Sequence, residues 1–599
     1  MIDSRADRAC RRIAWLVGLA AALSLISLPL AAQPLLLKRD APPVAAPAPA
    51  ETPPEPSAYA TGSDAPKDAI VVNSLDAVNA DAVGLIGPAE NGFETDFWAG
   101  TPWPVVASLM PRMPESSLSP SIRSLASRIL LSRGIVPEGK PESSSFIRLR
   151  VDRLIAMGDV ANALALLRLI PEEDRNEKVA QTESELLFFD GNSADACGRV
   201  TANIGRYKGL YWRQAQAFCL ALAGDHARAA LIADLMREQE AAVPAAFFAI
   251  IERLGGLKND DAALPLTPGA LMLSMAIEAG YALDESLIKN GAPAAIRQIA
   301  LSTSVDPELR LRAIERAQAV GALSGSEVVE SYRRFPFNEA ELRNPITTAD
   351  GNWSPRIRAL LVRAAATQPV SLGKAEVLRH AWQLSRERGG FAVTIRASLP
   401  VVAGMRPSAA LPDFAGQAAR ILFAGGRITE AMEWYGLAAA NSERAPEIKQ
   451  AAESLWPIAV IADMSEAVSL DADRLRNFLK TLRREDPENA QRRALVYCSV
   501  LEAVGREVPA DIWRDLLNGP MVSLEPGLNR AWENALDDAV GNRRTGEAAL
   551  LVVAGAASTG DSIFASNAAG YKAILSLRNI GLDEEARRLA VETALAAGF

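Results

Sequence analysis

From about residue 104 onward, apolar positions recur along this chain at intervals of three, four and seven. Val377, Leu378, Ala381, Trp382 and Leu384 fall on one helical face, while Arg379, Gln383, Arg386 and Glu387 lie largely elsewhere. Ala586, Leu589, Ala590 and Thr593 repeat the same spacing further on. Val160 to Ile170 is apolar almost all round, which suits a helix with neighbours on two sides. Convincing strand patterns are missing. Alanine dominates the apolar set and aromatics make up only 6%, a balance that favours helix. The expected fold class is therefore all-α, an irregular α-α solenoid of helical hairpins.

A repeat punctuates these helices. Gly158 precedes Ala163, Gly224 precedes Ala229, Gly426 precedes Ala431, Gly505 precedes Ala510, and Gly581 precedes Ala586, each by five residues. Glycine reaches the left-handed backbone region that ends a helix, and a small alanine in the next first turn lets two backbones approach. Neighbouring turns lie near two units of roughly 34–40 residues apart. Stretches such as RLIAMGDVANALALL, LALAGDHARAALIA and LFAGGRITEAMEWYGLAA resemble the helix–turn–helix of tetratricopeptide-like repeats in a degenerate form. Ala292 to Tyr332 is closer to irregular α-α solenoid repeats. The whole is similar to long exported helical-repeat proteins of alphaproteobacteria without assigned activity. That resemblance implies architecture and location, and transfers no functional residue.

The first residues differ from everything after them. Arg5, Arg8, Arg11 and Arg12 precede an apolar run from Ile13 to Ala32, the order of a secretory signal peptide. Cleavage falls best after Ala32. Alternatively the run is a retained anchor, since twenty residues span roughly 30 Å as a helix. Either way the positive end stays inside and the body is exported. The expected location is the periplasm, or a single pass of the inner membrane with the body in the periplasm. Residues 33–68 hold nine prolines, so this stretch reads as a disordered linker. Residues 69–103 are an extended arm or short helices, with Phe97, Trp98 and Trp103 near the start of the body. Residues 104–345 and 346–599 form an N-terminal and a C-terminal repeat region.

Charge and chemistry narrow the function classes. The net charge is -9, and residues 1–32 contribute four arginines against two aspartates, so the remainder is more acidic still. No nucleic-acid partner is expected of such a chain. The two histidines, His226 and His380, have no second ligand at metal spacing, so no metal and no cofactor are expected. No nucleophile elbow, phosphate-binding loop or dinucleotide motif occurs. Carboxylate runs at Glu172-Glu173-Asp174 and Asp583-Glu584-Glu585 sit at inferred helix starts, where they complement the helix dipole. Some periplasmic lytic transglycosylases join an α-superhelix to a domain whose catalytic glutamate is followed by serine. Glu183-Ser184, Glu285-Ser286, Glu330-Ser331 and Glu453-Ser454 match that dipeptide, but none precedes the segment that such domains carry. Tyr211, Trp212, Trp434, Tyr435 and Trp456 either pack between helices or line a groove.

The cysteines give the sharpest structural expectation. Ser193–Gly205 and Leu210–Ala223 read as adjacent antiparallel helices turning near 206–209. Cys197 lies about ten residues before the turn's centre and Cys219 about twelve after, at nearly equal height. In an oxidising compartment they should form a disulfide. Cys498 is left as a buried free thiol, and Cys10 precedes the apolar run. The expected function is a non-enzymatic scaffold or adaptor that binds an envelope or periplasmic protein along its surface. Peptidoglycan is a further candidate ligand. The alternatives are a peptidoglycan-acting enzyme with an unrecognised site and a chaperone-like or solute-binding module.

Overall fold

Several hairpins turn where a glycine enters the left-handed region. At Gly158 φ is +79°, its N–H donates to the Ile155 carbonyl, and the Asp159 N–H reaches back to Leu154, both at 2.9 Å. These bonds use up carbonyls that a helix end leaves without partners. A Cβ at Gly158 would fall 2.7 Å from that of Ala322, so the position also needs glycine for space. Gly224, Gly426, Gly505 and Gly581 share the positive φ. In each, the next residue donates five positions back, as Arg427 does to Leu422. Ala163, Ala229, Ala431 and Ala586 are buried at the close approach. Ala510 is the exception. It opens the helix Ala510–Leu517 directly after Pro509 and is exposed, so it makes no backbone contact of that kind.

The computed structural model describes residues 79–599 apart from 118, 140–144, 240–241, 258–265, 267–268, 466, 521–528 and 560–566. The signal segment, the proline-rich stretch and Cys10 lie outside the described residues. Among the described residues there are 29 α-helices and no strand, only two isolated bridges. Consecutive helices pair along the chain. Ser145–Met157 packs on Val160–Leu167, Leu210–Leu222 on His226–Gln239, Pro355–Thr367 on Ser371–Arg388, and Pro412–Ala424 on Ile428–Ala440. The face read from the sequence in Ser371–Arg388 is the buried one, with Val377, Leu378, Ala381, Trp382 and Leu384 all covered. The architecture is thus an all-α array of packed hairpins, compatible with a helical-repeat protein. None of the described helices is long and apolar enough to cross a membrane.

After a turn over 79–82, where the Ala82 N–H donates to the Asn79 carbonyl at 2.9 Å, residues 83–86 lie along this body. Leu85 donates to the Leu131 carbonyl at 2.8 Å, and Arg133 donates to that of Ile86 at 2.9 Å. Arg150, only 1% exposed, reaches the Val83 carbonyl at 2.5 Å and the Ser132 carbonyl at 3.3 Å. Burial pushes its guanidinium down to about 10, against the opposing pull of Asp81.

Some helices also pack on partners far along the chain. Pro120–Leu131 packs on Ser145–Met157 and also on Thr545–Thr559 and Asp583–Ala596. The Ser121 N–H donates to the Glu592 carboxylate at 3.2 Å, Arg128 pairs with Glu585, and the Gly546 N–H donates to the Phe97 carbonyl at 2.8 Å. The first helices of the body are therefore sealed against its last ones, and Ser74–Phe599 forms one compact unit. Across residue 345, Gly325–Arg334 packs directly on Pro355–Thr367.

Candidate functional site

Two recesses gather the polar chemistry. The first, of about 700 Å³, lies where the Pro120 helix meets the Gly425–Gly426 turn and the Asp583 helix. It is lined by Asn91, by Pro120, Ser121 and Ser124, by Arg427 to Glu430 and Glu433, and by Glu584 and Arg588. Most of the charge is internally matched. Arg427 pairs with Glu430, which holds that carboxyl below its ordinary range, and Arg588 pairs with Glu584. Beneath Ser121, Glu592 has its pKa raised by burial, against the lowering effect of hydrogen bonds from Ser119 and Ser121. The result is a polar concavity built from four segments remote in sequence.

The second recess, of about 470 Å³, is lined by Arg420, Ser454, Trp456, Arg474, Phe478, Arg493, Phe599 and neighbouring residues. Aromatic rings form its apolar side, with Phe478 meeting Trp456 at 6.2 Å and Phe599 at 5.8 Å between centroids. Arg474 lies 4.4 Å over the Trp456 ring and Arg493 4.9 Å over Phe599. Arg493 is also paired with Asp486 at 3.1 Å. Burial lowers the pKa of Arg420, whose guanidinium donates to the Phe599 carbonyl and the Ser454 hydroxyl.

The residues singled out by sequence scatter relative to these recesses. Cys197 and Cys219 are brought together on Ser193–Asn203 and Leu210–Leu222, with sulfurs 2.00 Å and Cα atoms 5.4 Å apart. Cys498 is buried and free. His226 begins a helix, and His380 contacts Asp350 at 3.0 Å. Among the described residues no group of three or more His, Cys, Asp or Glu is placed to hold a metal. Of the four Glu-Ser pairs, only Glu453-Ser454 borders a recess described above. Glu183 is instead a buried carboxylate facing Arg175 at 2.9 Å, Arg199 at 3.3 Å and Arg168 at 3.8 Å. Trp212 and Trp434 are core residues, whereas Trp456 borders the second recess. Sequence reading missed the turn at Gly191, where φ is +74°, although Ala196 follows five residues later and is fully buried. It also missed the arginines of the second recess, which come from three helices and share no spacing. No family model matches the chain, and comparison with curated proteins and with solved structures gives no match either.

Proposed function

We propose that this chain is a periplasmic, non-enzymatic scaffold of degenerate tetratricopeptide-like repeats that binds a protein of the cell envelope. The observation that carries this reading is the 700 Å³ recess formed where the first and last helices of the body meet. Helical arrays commonly use such concave surfaces for binding. Its paired charges and short side chains offer a partner hydrogen bonds without a strong field of either sign. The location is supported by the basic-then-apolar start of the sequence, and by Cys197 and Cys219 at disulfide distance, which fits an oxidising compartment. The test places a photo-crosslinking residue at Thr429, in the recess, and at exposed Arg334 as a control. A discrete protein adduct specific to position 429 in living cells is expected. Equal labelling at both positions, together with peptidoglycan turnover by the purified protein in a zymogram, would overturn the reading in favour of an enzyme.

A further inference from the structure

We infer that the Cys197–Cys219 bridge is a redox clasp. Formed, it holds the helix Ser193–Asn203 in place; reduced by an external dithiol, it releases that helix from a body that stays folded. This goes beyond the scaffold reading and holds whether or not that reading does. The two helices that the bridge joins are anchored unequally. Leu210–Leu222 buries Trp212, Ala215, Ala217, Phe218 and Ala221, two large rings among them. Ser193–Asn203 buries only Ala196 and Val200. Its 11 residues are too few for a helix to persist alone in water, and two short side chains bring it little apolar burial. A further tie is Arg199, 3.3 Å from the Glu183 carboxylate on Glu177–Phe189. That arginine is half exposed, so water and salt weaken the pair.

Neither end of the helix is hemmed in at its flanking glycine. Gly191, with φ +74°, precedes it and Gly205 follows it, and a Cβ at either would meet no atom within 4 Å. The bridge can also be reached from solvent. Cys197 and Cys219 are each partly exposed, whereas Cys498 is fully buried. A thiolate of the dithiol attacks one sulfur and expels the other, which leaves a mixed disulfide. The second thiol of the reagent then displaces the cysteine still attached. Two electrons and two protons pass to Cys197 and Cys219, and the dithiol departs as its own disulfide. The covalent tie between the anchored helix and the lightly held one is then gone. The bridge spans a sequence separation of 22, so its loss also returns conformational freedom to that stretch. Ser193–Asn203 opens as a unit, and Glu183 keeps Arg175 at 2.9 Å but loses Arg199.

The test is hydrogen–deuterium exchange read by mass spectrometry on the whole chain, oxidised and after reduction with dithiothreitol. Reduction should speed exchange in Ser193–Asn203 by about tenfold or more, and leave Leu210–Leu222 and Pro412–Ala424 unchanged. The double variant Cys197→Ser, Cys219→Ser should show the same local gain with no reductant present. Dithiothreitol should also open the bridge in the native protein, without urea. Unchanged exchange in Ser193–Asn203 after reduction would mean that packing alone holds the helix, and the clasp is then overturned. An equal gain in every helix overturns it too, since the bridge would then be a staple for the whole fold. A bridge that yields only in urea removes the device, because no dithiol reaches it in the folded state.

Discussion

Cys498 has no exposed surface, and burial pushes its thiol up to about 12. At pH 8 it is a neutral group packed among apolar side chains, not a nucleophile. The Cys197 and Cys219 sulfurs sit at bonding distance, so neither offers a thiolate once oxidised. Iodoacetamide should therefore leave the native body unlabelled, and denatured but unreduced protein should show Cys498 as the one reactive thiol beyond Cys10. Three reactive thiols there would mean that the pair is reduced. The pairing was readable because height on a hairpin follows from counting residues to the turn. The positive φ of Gly158 and Gly426 was readable for a similar reason, since a helix stop is a local event. Ala510 was misread because Pro509 resets where the next helix begins, and a fixed count from Gly505 does not register that.

Hairpin packing is decided by which small residues meet a neighbouring backbone. Ala431 is fully buried in the helix Ile428–Ala440, which packs tightly on Pro412–Ala424. Ala431→Trp should cost roughly 1–3 kcal/mol or more through overpacking. Ala510→Trp should change stability by no more than about 0.5 kcal/mol, because that side chain already faces solvent. Urea denaturation of both variants checks the pair, and equal losses would remove the distinction. Periodicity gave most helices and their buried faces, as in Ser371–Arg388. It did not give the second recess. Trp212, Trp434 and Trp456 all sit on apolar helix faces, and only the arrangement of several helices puts Trp456 at a cavity while the others stay in the core.

Closure of the body was not legible at all, because nothing in the residues around 121 or 592 announces a partner so far away. That contact makes the fold sensitive to pH. Desolvation raises Glu592 above its ordinary 4.5, while hydrogen bonds from Ser119 and Ser121 and the nearby charge of Arg123 oppose the rise. Between 4.5 and its raised native value the folded chain binds more protons than the unfolded one. Its contribution to stability is full below 4.5 and is lost as pH climbs through the native value. Glu592→Gln should remove that loss, so the variant gains on wild type as pH rises toward neutrality. Urea midpoints measured across this range check it, and parallel curves would count against the assignment. The same contact also sets a timetable for synthesis. Ser121 meets Glu592 471 residues later in the chain, which at about 5–20 residues per second is an interval of about 25–90 s. Throughout it, the side of the Pro120 helix destined for the last hairpin is bare. A chain that stalls or is clipped before Asp583 keeps that side uncovered permanently, and so carries its own mark for quality-control proteases.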